Sequence, residues 1–93
     1  MAYKILTDGS VIDIDLSDRG SRVDLELAQE VVEGYIEPVR INDETLMIVN
    51  EEGLLKDLPI NISASVIASR KIVGNVLVVK CYFDKKEEDE IWV

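Results

Sequence analysis

Polar side chains that could bind a small ligand are concentrated between residues 49 and 61. Gly53 and Pro59 are expected to fix the path of the chain there, so that amide, carboxylate and ammonium groups converge. Three cations could face a phosphate: Lys56, Arg70 and Lys71. The backbone amides at the helix start near Asn61 could contribute further donors. The candidate ligand-binding residues are Asn50, Glu52, Lys56, Asp57, Asn61 and Arg70. The alternative is structural, because these are also ordinary turn and helix-cap residues.

Catalytic and metal-binding patterns are weak by comparison. The chain has no His and one Cys, Cys81, which excludes imidazole catalysis and Cys/His zinc sites. Cys81 lacks an activating base, so a structural role is favoured. The acidic spacing from Asp13 to Asp24 partly matches a calcium loop, but Asp18 stands where such a loop needs Gly. We therefore predict a protein that is not an enzyme, with no catalytic residue, no metal and no cofactor.

The charge balance limits the partners. In 93 residues there are 19 acidic and 10 basic side chains, for a net charge of −9. This charge opposes direct binding to nucleic-acid phosphates or to an anionic membrane. The chain has no apolar run long enough to span a bilayer and no signal peptide, and a single Cys suits a reducing compartment, so a cytoplasmic protein is expected. The length favours one domain over residues 1–83, followed by an acidic tail over residues 84–93.

The first half of the chain must supply the frame for these side chains. In residues 3–16, two β-rich runs flank Asp8-Gly9, and the second run alternates apolar and acidic positions, which predicts a hairpin with a two-residue turn. Apolar residues at helical spacing then predict a helix over residues 22–33. Its expected N-cap is Ser21, and its expected C-cap is Gly34.

The second half is predicted to complete the sheet. Residues 35–58 are interpreted as a three-stranded meander, with a positive φ at Gly53 closing its second turn. Asn61 is the expected cap of a short helix over residues 62–69. Residues 72–83 are apolar on both faces, so they are placed as a central strand with a bend at Gly74-Asn75. The fold class is α+β: a single small domain with a mostly antiparallel twisted sheet of five to six strands and two helices on one face.

The same region carries a family resemblance. Its motif pieces lie at Gly34–Glu37, Val49–Gly53, Leu55–Asn61, Ala64 and Ile72–Gly74. In combination they resemble an uncharacterised family, a domain of unknown function found in phages, plasmids and integrative elements of bacteria. The resemblance extends from the leading hairpin to about residue 83. One departure is Asp57, where that family usually has Gly, which puts a tight turn there in question. The resemblance implies a host-cell cytoplasmic setting and an accessory role in counter-defence or host modulation.

Three functions follow from these features. The first is a binding protein that captures a small nucleotide-like ligand, as a homo-oligomer whose copies together build the pocket. The second is an acidic inhibitor that blocks a nucleic-acid-binding surface of a host defence protein, suggested by the charge of −9. The third is a structural or assembly module anchored by the apolar C-terminus around Trp92.

Overall fold

A five-stranded antiparallel sheet forms the centre of the part of the chain that the computed structural model describes, residues 2–15 and 24–80. The elements in chain order are β1 Ala2–Ile5, β2 Val11–Ile14, α1 Leu25–Val32, β3 Ile36–Asn42, β4 Thr45–Asn50, α2 Ile62–Ala68 and β5 Val76–Lys80. The strand order is β2-β1-β5-β4-β3, and every ladder is antiparallel. The predicted α+β class and the central position of the last strand are confirmed.

The first hairpin has a longer loop than predicted. The N–H of Gly9 donates to the Leu6 carbonyl (3.0 Å) and that of Leu6 donates to the Ser10 carbonyl (2.9 Å), which closes a three-residue loop. Gly9 has a φ of 93°, the left-handed conformation that such a loop requires at its last position. The N–H of Ser10 donates to Asp8 Oδ1 at 2.8 Å and holds the pKa of that carboxyl below its ordinary value.

Helix α1 is capped by the residues that directly precede and follow it. Asp24 is the N-cap, and its Oδ1 accepts the N–H of Leu27 at 2.8 Å. The helix ends at Glu33, which has a left-handed φ of 62°. The predicted C-cap, Gly34, is therefore wrong by one residue, and the predicted N-cap, Ser21, lies outside the described residues. The buried stripe consists of Leu27, Ala28, Val31 and Val32.

The two helices cover opposite faces of the sheet, which corrects their predicted placement on one face. Ile48 of β4 and Leu77 of β5 pack under α1, whereas their chain neighbours Met47 and Val78 pack under α2. Successive strand residues point to opposite faces, so strands that are apolar at every position bury both faces only if each is covered. All six residues of β4 are buried.

The predicted third strand of the meander is instead a series of turns over residues 51–57. Backbone bonds from Lys56 N–H to the Glu52 carbonyl (2.9 Å) and from Leu58 N–H to the Gly53 carbonyl (3.1 Å) hold it. The residue with positive φ is Asp57 (55°), not Gly53. Gly53 is needed for space, because a Cβ there would lie 2.7 Å from a Val73 methyl group.

The predicted bend at Gly74 is present, and its φ is 78°. The strand β5 begins after this bend, at Val76, so the predicted start at residue 72 is wrong. Residues 81–83 and the predicted tail lie outside the described residues. Neither helix in the described ranges is long and apolar enough to cross a membrane.

Candidate functional site

Asn61 lies in the interior of the protein. It is 1% exposed, and its side-chain Oδ1 accepts the N–H of Ala64 as the N-cap of α2. Its Nδ2 donates to the carbonyls of Ile5 (3.0 Å) and Gly74 (2.9 Å). The cap prediction is confirmed by this geometry. The side chain joins α2 to the end of β1 and to the segment before β5, and its hydrogen-bonding groups are used by the fold.

Asn50 has a comparable role at the end of β4. Its Nδ2 donates to the Val32 carbonyl at 2.9 Å, and its Oδ1 accepts the N–H of Glu52 at 2.8 Å. Gly34 allows this approach, because a Cβ there would lie 2.8 Å from Asn50 Nδ2. Asn50 thus joins the end of α1 to the 51–57 turns and is 5% exposed.

Two backbone amides in the first turn of α2 are also engaged. The N–H of Ala64 donates to Asn61 Oδ1, and that of Ser65 donates to the Asn61 carbonyl. These two N–H groups are used by the fold, and the prediction that helix-start amides near Asn61 face a phosphate stays a prediction. The predicted polar cluster is divided: its two Asn residues serve the fold, and the cations remain on the surface.

One cavity at this end of the sheet contains Lys56 and is called the Lys56 cavity. Its volume is about 290 Å³, and its walls include Thr7, Glu33, Asn50, Lys56, Leu58 and Asn75. Asn75 Oδ1 accepts the N–H of Thr7 at 3.1 Å, so it too serves the fold. The cavity offers one cation beside one carboxylate, with both Asn oxygens already engaged.

A second cavity, on the α2 side of the sheet, is called the Arg70 groove. Its volume is about 310 Å³, and its walls include Glu37, Glu51, Leu54, Leu55, Arg70 and Lys71. The backbone N–H of Arg70 donates to the Ser65 carbonyl (3.2 Å), which anchors the two cations directly after α2. Both cations are exposed, and among the described residues neither forms an ion pair. Leu54 and Leu55 are 67% and 85% exposed.

The six candidate residues do not converge on one point. Asn50 lines both cavities, Lys56 lines the first and Arg70 the second. Glu52 is half-buried and Asp57 is exposed, and neither is among the wall residues of these two cavities. Asn61 is enclosed.

Comparison with protein families accounts for most of the chain. Residues 5–91 match the model of a family described as Domain of unknown function (DUF3846). The chain belongs to this family. The match confirms the resemblance to an uncharacterised family, and it extends past the predicted domain boundary at residue 83. No significant match was found among curated proteins or among solved structures.

Asp57, where the resemblance put a tight turn in question, lies in a turn that the structure forms. Asp57 has a φ of 55°, a conformation that Gly adopts without cost and that Asp tolerates better than most residues. The tight turn that the substitution put in question is formed, with the N–H of Asp57 donating to the Leu54 carbonyl at 3.3 Å.

Sequence reasoning missed several residues around this region. Ser65 Oγ lies 2.7 Å from the Asn61 carbonyl oxygen and accepts the N–H of Ile72 at 2.9 Å, which joins α2 to the chain before β5. Leu54 and Leu55 were assigned to a strand instead of the groove wall. Their adjacency gave no signal, because consecutive apolar residues also occur in β4, where both faces are buried.

Proposed function

We propose that this DUF3846 domain is a binding protein without catalytic activity that captures a small nucleotide-like anion in the Arg70 groove. The observation that supports this proposal is the pair of exposed cations, Arg70 and Lys71, beside two exposed Leu side chains. A nucleotide combines a phosphate with a flat, largely apolar base, and the groove presents a group suited to each part.

The chemistry of the groove assigns a role to each wall. Arg70 can donate two parallel N–H bonds to phosphate oxygens, and Lys71 adds a point charge. Leu54 and Leu55 offer apolar area to the base. The carboxylates of Glu37 and Glu51 can accept hydrogen bonds from ribose hydroxyls or base amino groups. They also oppose binding of a highly charged anion, which favours ligands with one or two phosphates.

The Lys56 cavity is the weaker alternative for such a ligand. Its cation lies beside Glu33, and its Asn side chains are already bonded to the backbone. The proposed ligand site thus keeps Arg70 from the predicted set, adds Lys71, and leaves Asn50 and Asn61 as structural residues.

The proposed biological setting is a phage or mobile-element accessory protein in the host-cell cytoplasm, acting in counter-defence or host modulation. Its support is the resemblance to small domains of such elements. The expected homo-oligomer stays a prediction, in which a second copy would close the open side of the groove.

Thermal unfolding with a nucleotide panel tests the ligand proposal. We expect ADP-ribose or a cyclic dinucleotide at about 100 times its dissociation constant to stabilise the protein by about 2.7 kcal/mol. For a domain of this size, that corresponds to a rise in the melting temperature of about 10–20 °C. Arg70→Ala with Lys71→Ala should abolish the rise.

The matched control is Lys56→Ala, which removes an exposed cation from the other cavity. It should leave the rise in melting temperature intact. The proposal would be wrong if no nucleotide stabilised the protein, or if Lys56→Ala weakened binding as much as the double variant.

A further inference from the structure

Helix α2 has an outer face without charge. Ile62 and Val66 are 69% and 74% exposed, and their i,i+4 spacing places them side by side. No charged residue occurs over residues 60–69, although 31% of the whole chain is charged. A surface helix normally carries charged or polar residues on its solvent side, so this face has the composition of a covered one.

The apolar area continues beyond these two residues. Ile60, before the helix, and Ile67, within it, are both exposed. At the other end of the helix the chain turns directly into Arg70 and Lys71. The surface therefore consists of an aliphatic patch followed by two cations, and we call it the α2 surface: Ile60, Ile62, Val66, Ile67, Arg70 and Lys71.

The end of the chain has the complementary composition. Residues 84–90 contain five acidic residues and two Lys, a net charge of −3, and they are followed directly by Ile91-Trp92-Val93. An acidic run next to an apolar end matches a pair of cations next to an apolar patch. A second copy of the domain would bring its own overall charge of −9 to the same surface, which makes the short segment the better match.

The C-terminal segment is also long enough to reach the α2 surface from the end of β5. Thirteen residues follow Lys80, the last residue of β5. An extended chain of that length spans about 40 Å. The longest extent of the described part of the chain is 34 Å, so a segment of this length can reach the α2 surface from the end of β5.

We propose that the chain's own C-terminal segment, residues 84–93, docks on the α2 surface. Ile91 and Trp92 cover Ile62 and Val66, and the acidic run lies beside Arg70 and Lys71. This inference goes beyond ligand binding, and its test needs no ligand, so its failure would leave the Arg70 groove proposal standing.

Trp92 is the one Trp of the chain, so its fluorescence reports directly on docking. In the full-length protein we expect emission at shorter wavelength than in urea, with protection against acrylamide quenching. Ile62→Ser with Val66→Ser should shift the emission to that of the urea-unfolded chain and remove the protection, while the far-UV circular dichroism shows that the fold is kept.

The matched control is Val11→Ser with Ile12→Ser, the same exchange at exposed positions of β2. It should leave Trp92 emission and quenching unchanged. A second pair, Arg70→Glu with Lys71→Glu, leaves the apolar patch intact and should also shift the emission to longer wavelength, because it places acidic side chains beside the acidic run.

The measurement is repeated over a hundredfold range of protein concentration, with sedimentation at each end. We expect the emission to be independent of protein concentration and of any association that sedimentation detects. The proposal is overturned if Trp92 emits in the native protein as it does in urea, or if the α2 variants leave its emission unchanged. It is also overturned if the emission shift appears only with dimer, which would assign the segment to a second copy.

Discussion

At the scale of single residues, the side chain of Asn61 joins three separate parts of the chain. One side chain caps α2 and bonds two carbonyls, of Ile5 and Gly74, that lie 56 and 13 positions away in the chain. Replacement by Ala removes the cap and both side-chain hydrogen bonds to these carbonyls. A lost cap costs about 1 kcal/mol and each lost hydrogen bond about 0.5–1.5 kcal/mol, so we expect Asn61→Ala to lower the free energy of unfolding by about 2–4 kcal/mol in urea titrations.

Asn61→Asp separates the two roles, since it keeps the cap oxygen and replaces the donor by an acceptor. Burial and the facing carbonyls disfavour the ionised form, so the folded-state pKa of the new carboxyl lies above its unfolded value. More protons are then bound in the folded state, and stability falls as pH rises through this interval. Urea titrations at about pH 4 and about pH 7 should show a larger loss at the higher pH, bracketing the ordinary carboxyl pKa. An equal loss at both would contradict this account.

The cap role of Asn61 could be predicted, because an Asn before a short apolar helix is a local signal. The two donor bonds could not, because no local pattern links residue 61 to residue 5. For the same reason Asn50 was assigned to a ligand: its bond to Val32 exists only once α1 and β4 are packed together. A polar residue that joins distant elements has the same appearance in sequence as one that binds a ligand.

At the scale of elements, three segments end on a non-Gly residue in the left-handed conformation: Glu33 after α1, Asp57 in the 51–57 turns, and Ser69 after α2. This conformation costs residues with a Cβ roughly 1–2 kcal/mol, which Gly avoids. The rule that helices end on Gly placed the α1 cap at Gly34. The structure instead uses the missing Cβ of Gly34 to admit Asn50, a packing demand that is invisible to local rules.

Glu33→Gly tests the cost of this conformation, and Glu30→Gly is its matched control, because Glu30 is exposed within α1. We expect Glu33→Gly to raise the free energy of unfolding by about 0.5–1 kcal/mol, after the larger unfolded-state entropy of Gly is subtracted. The control should lower it by about 1 kcal/mol, as Gly does inside a helix. The strain account is refuted if both variants destabilise the protein equally in thermal or urea unfolding.

The placement of the helices on opposite faces of the sheet could be predicted from the sequence. Residues 46–49 are apolar at consecutive positions, and such a strand buries both faces. Two helices on one face would leave Met47 and Val49 in water, so helices on both faces follow from the strand pattern. The reverse error occurred at Leu54 and Leu55, where apolar residues suggested a strand although their exposure shows them on the surface.

At the scale of the whole molecule, the two proposals share a pair of side chains. Arg70 and Lys71 belong to the Arg70 groove and also to the α2 surface. If the acidic run of the C-terminal segment lies beside these cations, it competes with an anionic ligand for them. Of the net charge of −9, the −3 carried by residues 84–90 would then act locally, by pairing with Arg70 and Lys71 in place of a ligand.

This competition predicts that Trp92→Ala, in the full-length chain, strengthens nucleotide binding. Removing the aromatic anchor releases the segment, and a ligand no longer competes with it. If the segment occupies the surface nine-tenths of the time, the apparent affinity rises by about tenfold, since it scales with the fraction of free sites. Trp92→Phe keeps an apolar ring and should leave the affinity near that of the parent chain. Isothermal titration of both variants with the stabilising nucleotide decides the question: equal affinity for Trp92→Ala and the parent would show that segment and ligand occupy separate surfaces.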